Sequence, residues 1–153
     1  MDVVKFLKKS NVKFQLRHHP ARYTAQEVAA AEHITGEEVA KVVVVRAGDA
    51  FAMCVLPATC VLDMRKVQKL IGQGKVRLAT EDEIAGLFPD SEVGAMAPFG
   101  KQYELPLYVE ERLAQDEEIL IPAGTHEDSI VMAWKDYERL AEPRVASFGK
   151  HTE

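Results

Sequence analysis

At 153 residues, with 47% hydrophobic and 28% charged side chains, the chain suits one core and has the balance of an ordinary globular protein. No apolar run approaches the roughly 20 residues of a bilayer-spanning helix, and the opening MDVVKFLKKSNVKF lacks the apolar stretch and cleavage site of a secretory leader, so a cytoplasmic protein is expected. A net charge of −5 excludes a general nucleic-acid coat, and no DNA or membrane partner is expected.

The charge is unevenly spread. Residues 1–22 balance at +5, residues 61–78 at +4 and residues 81–118 at −9. The two basic segments could form one patch for a polyanion, or simply a solvated face. Cys54 and Cys60 make no disulfide scaffold, and no ligands at zinc-like spacing accompany them, so idle thiols and no metal or other cofactor are expected.

In chain order, Val3, Val4, Phe6 and Leu7 predict a short amphipathic helix, and VKFQLR a strand. TAQEVAAAEHI opens with Thr24 and Glu27 in capping-box spacing and predicts a helix ending before Gly36. VAKVVVVRAGDAFAMCVLPA reads as a hairpin turning at Ala47-Gly48-Asp49, apolar enough for central strands covered on both faces. LDMRKVQKLIG predicts a basic helix closed by Gly72, VRLA a short strand, and TEDEIAGLF a helix capped by Thr80 and Glu83. LPLYV, EILIPA and SIVMAW predict strands, KDYERLA a last helix and RVASF a last strand. Hairpins mixed with helices predict an α/β or α+β fold: one domain over residues 1–153, built on a curved, barrel-like mixed sheet flanked by helices. There is no dinucleotide fingerprint, P-loop or G-x-S-x-G motif.

Three features call for a function. Lys41 interrupts the apolar run VAKVVVV and shares a strand face with Val39, Val43 and Val45. Either it snorkels to water from the start of the strand, or its ammonium is aimed into a cleft for an anionic or carbonyl-bearing ligand. GAMAPFG, Gly94 to Gly100, combines turn-forming glycines with Ala95, Met96, Ala97 and Phe99, which either wall a pocket or cap the core. AGTHEDS, Ala123 to Ser129, sets Gly124, Thr125, His126 and Asp128 at a strand end, where sites are often built. His126, like the pair His18-His19 before Pro20, could equally be a surface residue.

Taken in order, HHP before a capped helix, the lysine-headed hairpin, LD before a basic helix, ATEDEIAGLFP, GAMAPFG, LPLYVEERL and AGTHEDSIVM form a specific set of landmarks. From Val12 to Phe148 the chain resembles the YbaK/ProX family of aminoacyl-tRNA deacylases, related to the editing domain inserted in bacterial prolyl-tRNA synthetases. The resemblance implies a metal-independent trans-editing hydrolase of translation fidelity. Its partner would be the acceptor end and 3′-terminal adenosine of a mischarged tRNA carrying a small amino acid, with a possible synthetase association.

On that resemblance the catalytic residues are Lys41, Gly94 and His126. The strand lysine would hold the terminal phosphate or orient the ester, and the G-x-x-x-P loop of Gly94 and Pro98 would fix the aminoacyl group or the attacking water. His19, Ala97, Pro98, Phe99, Gly124, Thr125 and Asp128 would bind substrate, with the apolar loop sieving it by size. The tRNA ribose hydroxyl could assist the attack. One position departs from the pattern. The residue after the lysine, commonly Thr or Asn in related domains, is Val42, which removes a side-chain hydrogen bond. Val42 therefore keeps open a catalytically weak or inactive module of the same fold that binds an amino acid, a nucleotide or tRNA, and Lys41, if desolvated, a third class, an enzyme forming a Schiff base on it.

Overall fold

A computed structural model describes residues 1–20, 36–72 and 74–152. The helix expected over Thr24 to Ile34 lies outside the described residues. Helix α1 (Val3–Lys9), capped by the Asp2 carboxylate, buries Val3 and Leu7 and leads to strand β1 (Phe14–His18). Strands β2 (Ala40–Ala47) and β3 (Ala50–Pro57) form the long hairpin, turning at Gly48, whose φ of +62° suits a residue without Cβ. Strand β4 (Cys60–Leu62) precedes the basic helix α2 (Met64–Ile71), which starts on the Asp63 carboxylate and stops at left-handed Gly72. Strand β5 (Val76–Leu78) and helix α3 (Glu81–Leu87) follow, the latter with the complete Thr80/Glu83 capping box. The chain ends in β6 (Leu107–Glu110), β7 (Glu118–Pro122), β8 (Asp128–Ala133), α4 (Trp134–Ala141), β9 (Arg144–Ala146) and β10 (Gly149–His151).

The mixed α/β class stands, but the strands do not close into one barrel-like sheet. They form a five-stranded sheet in the order β5-β2-β3-β6-β9, an antiparallel sheet β1-β8-β7, and the two-stranded pair β10-β4. In the large sheet β3 runs parallel to β6 and β6 to β9, while β2 is antiparallel to both its neighbours. Among the described residues a single parallel bridge, Val39 to Leu120, joins the two larger sheets. Two residues further along that pairing Lys41 would face Pro122, which has no N–H to continue a ladder.

Alternation along the central hairpin divides the core, as its apolar run predicts. Val42, Val44, Met53 and Val55 face one cluster, shared with α1, α4 and the three-stranded sheet. Val45, Ala52, Cys54 and Leu56 face a second, shared with Val67 of α2 and with Phe148. Both cysteines are free and buried, and burial pushes the Cys54 thiol up to about 12. At the C-terminal end, the buried Glu110 carboxylate accepts N–H groups from Arg112, Phe148 and Gly149 at 2.8, 3.1 and 3.1 Å. A Cβ at Gly149 would stand 2.9 Å from the Glu110 side chain, so that clamp requires glycine.

Beyond Ala95, which lines the cavity, the apolar loop caps the core, which corrects the pocket wall expected of Ala97, Pro98 and Phe99. Met96, Ala97 and Phe99 are no more than 3% exposed and belong to the first cluster. The Phe99 ring packs against Phe6 of α1 and Tyr137 of α4 at centroid distances of 5.3 and 5.4 Å, and the Tyr137 hydroxyl donates to the Pro98 carbonyl at 2.6 Å. Gly100 ends the loop where a Cβ would fall 2.7 Å from the Leu105 carbonyl oxygen. Ala97→Leu should accordingly overpack the core and cost about 1–3 kcal/mol. Chemical denaturation should show that loss, and the choice among ligands of different size should not change.

Candidate functional site

The site forms where β1 ends, β2 begins and two glycine loops meet. Gly94, at φ +88°, and Gly124, at φ +97°, adopt a backbone that L side chains resist. The loops are laced together: the Glu92 N–H donates to the Gly124 carbonyl and the Gly124 N–H to the Ala95 carbonyl, each at 2.8 Å. His126 adds two bonds, its backbone N–H to the Glu92 carboxylate at 2.9 Å and its ring Nε2 to the Val93 carbonyl at 2.8 Å. A Cβ at Gly94 would come within 3.3 Å of the His126 ring, which would have to shift by a few tenths of an ångström, on top of the strain of the turn itself.

Together these elements enclose a cavity of about 100 Å³. It brings together His19, Lys41, Gly94, Thr125, His126 and Asp128. Ala97, Pro98 and Phe99 lie in the core instead, and Gly124 serves the loop contact rather than the wall. The apolar wall comes from Val39, Ala95, Leu120 and Pro122, and a further polar group from Ser129. Of these, the sequence flags only Ala95. A serine in DSIVM, whose alternate residues Ile130 and Met132 face the core, was the available signal for Ser129.

Lys41 is half-buried and also borders a neighbouring apolar hollow with Val43, Val61, Leu62, Met64 and Leu78. Among the described residues no carboxylate pairs with it. Desolvation lowers its pKa, with a smaller opposing contribution from the Cys60 side chain. Val42 points the other way, into the first core cluster.

On the opposite wall Asp128 accepts from the Thr125 hydroxyl at 2.7 Å and from His18 Nδ1 at 3.0 Å. The Thr125 bond, and then the His18 bond, hold the Asp128 carboxyl below its ordinary range, while the Asp128 hydrogen bond raises His18. The pair is charged on both sides only in the window between those two titrations. Its contribution fades as pH falls through the lowered Asp128 value, and again as pH rises through the raised His18 value. A ring-proton NMR titration should place the His18 midpoint above the ordinary histidine value, and Asp128→Asn should bring it back down.

The chain covers 97% of itself and 95% of a solved structure described as that of a candidate trans-editing enzyme for prolyl tRNA synthetase, at 24% identity and a TM-score of 0.86. It also matches a scaffold protein used to present grafted linear epitopes, at 23% identity and a TM-score of 0.87, covering 97% and 96% of the two chains. A hypothetical protein of known structure matches at 19% identity and a TM-score of 0.87, covering 98% and 100%. These likenesses show a shared fold. The aminoacyl-tRNA editing domain family matches residues 19–140, from the cavity's His19 through Lys41, both glycine loops and Ser129, and the chain belongs to that family.

Proposed function

We propose that the cavity hydrolyses, without a metal, the ester joining a small amino acid to the 3′-terminal adenosine of a mischarged tRNA. The protein would act in trans in the cytoplasm, alongside the synthetase that makes the error. The observation that carries this reading is Lys41: a partly desolvated ammonium with no carboxylate partner among the described residues, facing a small cavity in an editing-domain chain. An ester is already activated, so the site needs to position it and to stabilise the charge that develops on the carbonyl oxygen. Lys41 supplies that charge stabilisation at the junction of the polar cavity and the apolar hollow, with the terminal nucleoside toward the hollow.

Selection by size falls to the cavity wall of Val39, Ala95, Leu120 and Pro122. A volume near 100 Å³ suits a small side chain, and each extra methylene changes binding in such a pocket by only about 1–3 kcal/mol. That modest discrimination is the reason for a second sieve acting after a synthetase. Further from the cavity, α2 presents Arg65, Lys66 and Lys69, and among the described residues Lys66 Nζ reaches only the Ser147 hydroxyl, at 3.3 Å. These cations would meet tRNA phosphates.

A second reading, a binding module of the same fold, is favoured by Val42, whose apolar side chain packs in the core and offers the substrate no hydrogen bond. A deacylation screen over a panel of mischarged tRNAs separates the two, because a binding module would retain the tRNA without releasing amino acid.

Two outcomes are expected of the enzyme. Lys41→Ala should lower deacylation at least tenfold with melting unchanged, since losing one oxyanion donor typically costs about 10²–10³ in rate. Equal rates at limiting substrate would remove Lys41 from the mechanism. Neutralising Lys66 and Lys69 together should weaken binding of all tRNAs and reduce the salt slope by about one unit per lysine. An unchanged slope would assign both to a solvated face.

A further inference from the structure

Asp128 is the one carboxylate among the described residues that line the cavity, and Lys41 faces it from the opposite wall. Each of its oxygens is held by one neighbour, Oδ1 by His18 Nδ1 at 3.0 Å and Oδ2 by the Thr125 hydroxyl at 2.7 Å. The Thr125 oxygen in turn accepts the Glu127 N–H at 3.2 Å, which leaves its proton for Asp128. The backbone fixes the residue as well: Asp128 pairs with His18 in the β1–β8 register, and its carbonyl accepts the Ala123 N–H at 3.2 Å. A carboxylate has about four acceptor positions, so each oxygen keeps one for a ligand.

The charged groups that bear on it are His18, the nearby His19, Glu127 beside His18, and Lys41 across the cavity. The Thr125 and His18 bonds keep the carboxyl below its ordinary range, so it is ionised at neutral pH. A ligand filling this space therefore meets a cation on one side and an anion on the other. An aminoacyl ester carries the matching groups on adjacent carbons: an α-amine, and the carbonyl oxygen that gains negative charge during hydrolysis. An α-amino group protonates with a pKa of about 8, and a carboxylate beside it favours the ammonium.

We propose that Asp128 holds the substrate's α-ammonium, so that the site selects acyl groups with a free amine. The inference rests on the ester-hydrolase reading of the cavity and names the contact that fixes the acyl end within it. With the carbonyl oxygen on Lys41 and the ammonium on Asp128, the acyl group is held at two points, and its side chain turns to the wall of Val39, Ala95, Leu120 and Pro122. An acyl group whose nitrogen is already part of an amide is neutral and bulkier, and gains nothing from that carboxylate.

The test uses the full chain and two unreactive amides of 3′-amino-3′-deoxyadenosine, one alanyl and one lactyl. They are nearly equal in size, the lactyl compound having a hydroxyl in place of the ammonium. Calorimetry at neutral pH should show the alanyl compound binding at least about tenfold more tightly, the scale of one charge-assisted hydrogen bond. Asp128→Asn should cut that preference below about threefold, chiefly by weakening the alanyl compound. His18→Gln removes a neighbour but keeps the carboxylate, and should retain the preference. In the wild-type protein the alanyl compound should also lower the His18 ring midpoint, because a second cation then shares the carboxylate, and the lactyl compound should not. Equal wild-type affinity for the two compounds, or binding of neither, would overturn the proposal, and deacylation of the tRNA panel by the same protein would leave the hydrolase reading intact. The preference in a protein that deacylates no tRNA of the panel would support the ammonium contact while removing the hydrolase reading.

Discussion

The site depends on the mutual hydrogen bonding of two loops that lie about thirty residues apart in sequence. Each supplies a glycine with positive φ, and each uses backbone groups that would otherwise face solvent to hold the other. Two of the bonds run from main chain to main chain, while the two made by His126 use the Glu92 carboxylate and the His126 ring, and a Cβ at Gly94 would press on that ring from a backbone conformation that L side chains resist. The cavity wall is thus set by backbone conformation, and the side chains chiefly determine its chemistry.

Lys41 occupies the point where three elements of the fold meet: the start of the long hairpin, the bridge from Val39 to Leu120, and the proline that halts pairing beyond it. Were the two sheets joined by a full ladder, that strand edge would be satisfied and closed. The interruption leaves a gap with polar groups on one side and an apolar hollow on the other. A cation there is incompletely hydrated, so an oxygen on a ligand gains more from meeting it than it would in water.

Much of this was visible in the sequence wherever a local rule decides the outcome. Thr80 with Glu83, the glycine after Ile71 and the turn at Gly48 each specify their element through contacts a few residues long. Lys41 stood out as the one cation inside VAKVVVV. The direction of the GAMAPFG side chains did not, because a pocket wall and a core cap have the same composition. The difference is made by Phe6 and Tyr137, which approach from opposite ends of the chain. Ser129 was hidden for a similar reason, its partner His19 being 110 residues away. The pair β4 and β10, three residues each, is too short to leave a periodic trace.

The stack of Phe6, Phe99 and Tyr137 has a consequence for how the molecule responds as a whole. The first helix, the segment that follows Gly94 and the last helix share one set of ring contacts, so loosening any of them frees the others. A disturbance near the amino terminus, far from the cavity along the chain, would reach the turn that shapes it through three aromatic rings. Conversely, a ligand that fixes that turn would draw both terminal helices into the same cooperative unit.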